Sequence, residues 1–167
     1  MTNQPATKPI SKTSKHTARL NRVRALSRLL DNALPIPGTS YRIGIDPILG
    51  LFPAIGDYLT TALSAYIVIE SALLGASKAT LWRMTLNIII DTFAGTVPVL
   101  GDLFDVTWKA NSANLALLEA HMKSPTTSKK ANWWFIALLL GAVILVLVIV
   151  TTISWWILSS LFQLIFS

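Results

Sequence analysis

Cysteine is absent from this chain of 167 residues. That removes disulfides, thiolate nucleophiles and thiolate metal sites, and it leaves the redox compartment unreadable. Charge is scarce: 13% of residues are Asp, Glu, Lys or Arg, against about 25% in soluble domains. Acids are missing altogether from residues 1–30, and no charged residue of either sign occurs after Lys130. His16 and His121 stand alone, which gives no His-based metal or catalytic set. No Gly-rich phosphate loop or nucleophile elbow is present. What is abundant is apolar: 53% of the chain, so a large part of it is expected to avoid water.

The formal charge of +6 is unevenly placed. Lys8, Lys12, Lys15, Arg19, Arg22, Arg24 and Arg28 all fall in the first 30 residues. Residues 1–15 have little to bury and read as a disordered basic arm. No apolar run follows Met1, so a secretory leader is not expected, while a transit-peptide reading of the arm stays open. Residues 16–34 read as a basic amphipathic helix, with Leu20, Val23, Leu26, Leu29, Leu30 and Leu34 on one face. Its arginines, Arg19, Arg22, Arg24 and Arg28, suit an anionic membrane surface, at about 1 kcal/mol per cation near it. The competing reading is a helix packed on its own domain with a solvated basic face. Nucleic acid is not expected, because no aromatic platform accompanies the charge.

The pattern D-x3-G-x2-P-x2-G-D occurs twice, and each position recurs 45 residues later. Asp46, Gly50, Pro53, Gly56 and Asp57 form the first copy. Asp91, Gly95, Pro98, Gly101 and Asp102 form the second. A period in this range marks one supersecondary unit used twice. In each copy the proline breaks a short apolar helix and the glycines act as hinges. The aspartate after Gly is then expected to cap the next helix. The chain therefore predicts a duplicated helical-hairpin domain over 35–122, with repeats at about 41–77 and 80–122. Its helices should run from Tyr58 to Leu74, from Thr80 to Ala94 and from Asp102 to His121. A turn at Gly75–Lys78 separates the two Gly-Asp turns.

Residues 123–132 form a linker. Trp133-Trp134 and Trp155-Trp156 then bracket an uncharged run. From Trp134 to Trp155 is about 32 Å of helix, close to the roughly 30 Å hydrocarbon core, and indole rings favour both interfaces. Residues 133–156 read as a transmembrane helix and 157–167 as a separate interfacial helix. Lys123, Lys129 and Lys130 flank the near end of the span, which places the N-terminus in the cytoplasm and the C-terminus on the far side.

The fold class is thus all-α and membrane-integral, with two tandem hairpins, an amphipathic helix before them and a transmembrane helix after. Ionisable groups in an apolar core raise a functional question. Asp46, Asp57, Asp91 and Asp102 could pair across the repeat as a cation or proton site, or serve only as caps. Asp105 and Lys109 have helical pairing spacing, and Arg83 or Lys109 could neutralise the acids inside the bundle. An intramembrane aspartyl hydrolase needs Gly-x-Gly-Asp, and Ala54 and Val99 stand where its first glycine belongs. The leading reading is a non-catalytic structural or interaction module that needs no cofactor or metal and associates with itself or a membrane partner. An ion or proton pathway is the alternative, and a hydrolase the third.

Several motifs follow one another in order. They are Leu30-Asp31-Asn32, Ile36-Pro37-Gly38-Thr39, Gly44-Ile45-Asp46-Pro47, Pro53-x-x-Gly56-Asp57, Pro98-x-x-Gly101-Asp102-Leu-Phe-Asp105, and Trp108-Lys109-Ala110-Asn111-x-x-Asn114. Together they resemble the domain-of-unknown-function family 4112 over about residues 20–122. The resemblance implies a small membrane-associated helical domain, found in bacteria, fungi and plants, and implies no activity.

Overall fold

The computed structural model describes residues 10–35, 37–39, 42–45, 49, 55–94, 108–124 and 132–166. Among these are five helices and one two-stranded ladder. The helices are α1 (Ile10–Asn32), α2 (Ile55–Leu73), α3 (Lys78–Ala94), α4 (Ala110–Lys123) and α5 (Trp133–Phe166). The strands β1 (Leu34–Pro35) and β2 (Arg42–Ile43) pair antiparallel, Leu34 opposite Ile43.

Helices α1 to α4 form a closed ring of neighbours, α1 on α2, α2 on α3, α3 on α4 and α4 on α1. That is a four-helix bundle. Chain direction alternates around it, because Asp31 meets Asn111 while Arg24 meets Glu119. The core comes from every helix: Val23 and Leu30, Ile67 and Val68, Leu81, Met84 and Ile88, and Leu118. Burying such side chains contributes about 1.5–3 kcal/mol each.

The α2–α3 turn shows how local sequence sets this geometry. Gly75 adopts φ 92°, a left-handed conformation that glycine takes without steric cost. Its N–H donates to Ala72 O, and the N–H of Ala76 donates to Ser71 O. That pair of bonds closes α2 in a Schellman motif. Ser77 Oγ then accepts from Thr80 N–H at 3.2 Å and caps α3. Gly44 is fixed by packing instead. A Cβ there would collide with the Leu30 carbonyl, so the β2 loop lies directly on the end of α1, with Ile45 N–H bonded to Leu29 O.

α5 lies outside the ring, against α2 and α3. Ile136, Leu139, Val143, Leu147 and Val150 are buried. They recur every three or four residues and make one stripe. Lys78 Nζ sits 5.1 Å from the Phe135 ring centroid at one end, a cation–π contact. Tyr58 Oη donates to Thr151 Oγ1 at 3.4 Å at the other. The hairpin therefore runs the length of the first half of α5.

Several expectations change. α1 starts at Ile10, inside the stretch read as disordered, because a helix already nucleated by packing at Val23 and Leu30 extends backward at little cost. It ends at Asn32, and Leu34 is drawn into the strand pair and is exposed. Leu29 is exposed too. Gly56 lies buried in the first turn of α2, which starts at Ile55. Asp57 accordingly occupies the first turn rather than the capping position. The separate interfacial helix is absent, and α5 continues unbroken to Phe166. No proline interrupts it, and the hydroxyls of Ser159 and Ser160 donate back to Trp156 O, so these hydroxyls are satisfied within the helix. The fourth helix begins at Ala110, about ten residues later than a 45-residue repeat of α2 would place it. The rest of the second motif, 95–107, lies outside the described residues.

Candidate functional site

Among the described residues, two clusters of polar side chains are buried in the bundle, and each is built around a carboxylate. The first joins the end of α1 to the start of α4. Lys109 precedes α4 and supplies no side-chain cap. Asp31 does so from another helix: its Oδ2 accepts from Ser112 N–H at 2.6 Å, and its Oδ1 accepts from Asn111 Nδ2 at 2.9 Å. A carboxylate at a helix N-terminus meets free N–H groups and the positive end of the dipole. Around it, Asn32 Nδ2 donates to Ser112 Oγ at 2.9 Å. Lys109 Nζ donates to Asn32 Oδ1 and, at 2.7 Å, to Arg42 O. Burial pushes the Asp31 carboxyl above its ordinary value, against the lowering by Asn111, Ser112 and Lys109. One layer away, Asn87 Nδ2 donates to Asn114 Oδ1 at 2.8 Å.

The second cluster joins α1 to α2. Glu70 is the one charged residue of the apolar stretch from Tyr58 to Leu74, and it is 4% exposed. Arg19 Nη1 lies 2.9 Å from Oε2, Arg22 Nη2 lies 3.1 Å from Oε1, and Tyr66 Oη donates to Oε1 at 2.6 Å. Burial opposes the charge on Glu70, but bonds from Tyr66, Arg22 and Arg19 outweigh it and hold the carboxyl below its ordinary range. Arg24 pairs with Glu119 of α4 at 2.8 Å. Three of the four arginines assigned to an anionic surface thus have acids of the same chain as partners. Arg28 is exposed.

Neither cluster has the geometry of a reaction centre. Both Asp31 oxygens accept bonds from fixed donors, and Glu70 is saturated by two guanidinium groups and a phenol, which leaves neither poised as a base. Among the described residues no group of three or more His, Cys, Asp or Glu could hold a metal ion. Of the aspartates singled out by the repeat, Asp91 is described in full. It lies half-buried in the last turn of α3 and is engaged by other groups. Asp46, Asp102 and Asp105 fall outside the described residues, as do Gly50, Pro53, Gly95, Pro98 and Gly101 and the side chain of Asp57. The Asp105–Lys109 pairing therefore lies outside them too, and Lys109 reaches Asn32. Arg83 is exposed on α3 and has no acid partner among the described residues.

Asp31 and Glu70 were not chosen from the repeat, although both carried a signal. A lone acid in an apolar helix needs a partner, and seven upstream cations were candidates. Asp31-Asn32 and Lys109-Ala110-Asn111 are motif segments nearly 80 residues apart that the fold brings into one clasp.

Among the described residues, four bundled helices tied by two carboxylate clasps, with a long apolar helix docked on their outside, define an all-helical domain. The chain belongs to the family described as Domain of unknown function (DUF4112), which matches residues 19–122. The match takes in α1 from Arg19 through nearly all of α4, and α5 lies beyond it. No curated protein and no solved structure matches the chain.

Proposed function

We propose that α5 crosses a bilayer with the α2–α3 hairpin against it, and that the protein is a non-catalytic structural or interaction module. The observation that carries this reading is the exposure of α5. The most apolar 18-residue window of its stretch Trp133–Leu164 has a mean hydropathy of 3.1, yet only 28% of that window is buried. The core helix of a water-soluble bundle hides most of its surface. Here Leu138, Ile144, Leu145, Val148 and Ile149 face outward, continuous with Trp155, Trp156, Leu158 and Phe162 beyond the bundle. Exposed apolar area on this scale marks a lipid or protein contact.

The bundle has two unlike sides, which supports the interaction reading. Tyr58, Leu59, Leu73, Trp82 and Phe93 are exposed on α2 and α3, while α1 and α4 carry Arg22, Arg24, Arg28 and Glu119. Charged groups at membrane depth are covered by protein or water. A partner, or a second copy, against α1 and α4 meets that need. Lys78 and Lys123 lie toward the end where α5 begins, which favours that end as cytoplasmic.

Alkaline carbonate washing of membranes from cells expressing the full chain tests the span. The protein should stay in the pellet. Leu145→Lys with Val148→Lys should release it, since each charge costs about 2.5–3.5 kcal/mol at a helix centre. Release of the unaltered protein sinks the reading.

A further inference from the structure

An open groove of about 550 Å³ runs between α3 and α4 on the outside of the bundle, within the roughly 300–1,000 Å³ of ligand sites. Leu86 and Ile90 form one wall, and Ala113, Ala116 and Ala120 form the other. Its one charged lining residue is Arg83, which has no partner among the described residues. The polar group beside it, Asn87, is already bonded to Asn114.

The placement of Arg83 sets the direction of the groove. Lys78 stands over Phe135, two residues from Trp133. Arg83 lies about 7.5 Å further along α3, within reach of that same end by extending its side chain. Leu86 and Ile90 follow further from the end. The cation is therefore at the tryptophan-flanked, Lys-rich end, and the apolar walls run inward from it.

We infer that this groove seats one anionic phospholipid, with its phosphate on the Arg83 guanidinium and one acyl chain between the walls. A planar guanidinium matches phosphate oxygens with two parallel bonds. The alanines leave room for a chain where larger residues would fill the groove. The inference rests on the reading that α5 spans a bilayer, because that places this end at headgroup level.

Native mass spectrometry of the full protein in neutral detergent tests it, with lysophosphatidylglycerol and lysophosphatidylcholine of one chain length as probes. The anionic probe should bind one per protein with about tenfold preference, the scale of one charge-assisted contact. Arg83→Gln should bring the two probes to within about twofold of each other. Ala116→Leu, a change at an exposed position, should lower occupancy by both. An unchanged preference in Arg83→Gln overturns the assignment. So does unchanged occupancy in Ala116→Leu, or a shift in the protein's own oligomeric mass without loss of lipid, which would make the groove a seat for a second copy. The carbonate wash separates the two readings. Protein that stays in the pellet without headgroup preference sinks the lipid site alone. Protein that washes off yet shows Arg83-dependent preference sinks the span alone.

Discussion

The two clasps solve the same problem by different means. Asp31 and Glu70 are both buried carboxylates that tie α1 to a neighbour. Glu70 is neutralised by full charges, Arg19 and Arg22, and its ionised form is favoured. Asp31 is held by an amide, a backbone N–H and the start of a helix, and burial still disfavours its ionised form. The difference follows from what each clasp must satisfy. At Glu70 the acid is the group in need, stranded in an apolar helix. At Asp31 the helix end is in need, and the acid answers it. Removing the acid should therefore hurt more at Asp31, where buried donors are left behind, than at Glu70, where the abandoned arginines can turn to water.

Asp31→Ala carries the largest expected effect. It uncaps α4, about 1 kcal/mol, and strands the buried Asn111 amide, another 1–3 kcal/mol or so. We expect a loss of about 3 kcal/mol in denaturant unfolding in neutral detergent at pH 7. Asp31→Asn keeps one acceptor and should cost about half as much. Equal losses for the two variants would mean that the negative charge, rather than the acceptor geometry, holds α4.

Glu70→Gln should cost about 1–2 kcal/mol, because Arg19 and Arg22 are 31% and 49% exposed and regain water. Its sharper signature is in pH. The Glu70 carboxyl is lowered in the fold from 4.5. Its contribution is thus fully present above about pH 4.5 and lost as pH falls through the lowered value. Asp31 is raised from 3.8, so its protonation favours the fold as pH falls from that raised value towards 3.8. The slopes oppose each other. Stability measured between pH 7 and 3 should lose part of its acid-side decline in Glu70→Gln. It should decline more steeply in Asp31→Asn. Parallel curves for both variants would erase the contrast between the clasps.

How much of this could be read in the chain follows the range of the forces involved. The turn between α2 and α3 was legible, because Gly75, Ser77 and the apolar run before them act within one or two turns. The hairpins themselves were expected to turn at the two Gly-Asp motifs instead, and α2 and α3 start three and two residues earlier than expected. The start of α5 was legible from Trp133. Its continuation past Trp156 was not, because serine spacing fits an interfacial face as well as hydroxyls bonded back to their own helix. The partners of Arg19, Arg22 and Arg24 were hidden for a different reason. Sequence gives the charge of a face but not what it meets: Glu70 lies 51 and 48 residues from Arg19 and Arg22, and Glu119 lies 95 from Arg24. The Asp31 clasp was present only as two separated motif segments. Helical periodicity carries no information about contacts 80 residues apart.

The Arg24–Glu119 pair gives the smallest expected effect and the cleanest baseline for the comparison. Like the Glu70 clasp, it links α1 to a neighbouring helix through a guanidinium and a carboxylate 2.8 Å apart. Unlike it, both partners are solvated, with 40% and 34% of their side chains exposed. Water competes for both ions and the side chains lose freedom on pairing, so exposed pairs are worth about 0–1 kcal/mol. Arg24→Ala should cost no more than about 0.5 kcal/mol beyond the packing of its stem, and raising salt should shrink even that. A loss matching Glu70→Gln would show that α4 is held to α1 by charge along its whole length. A negligible loss leaves Asp31 as the polar group that decides where α4 begins.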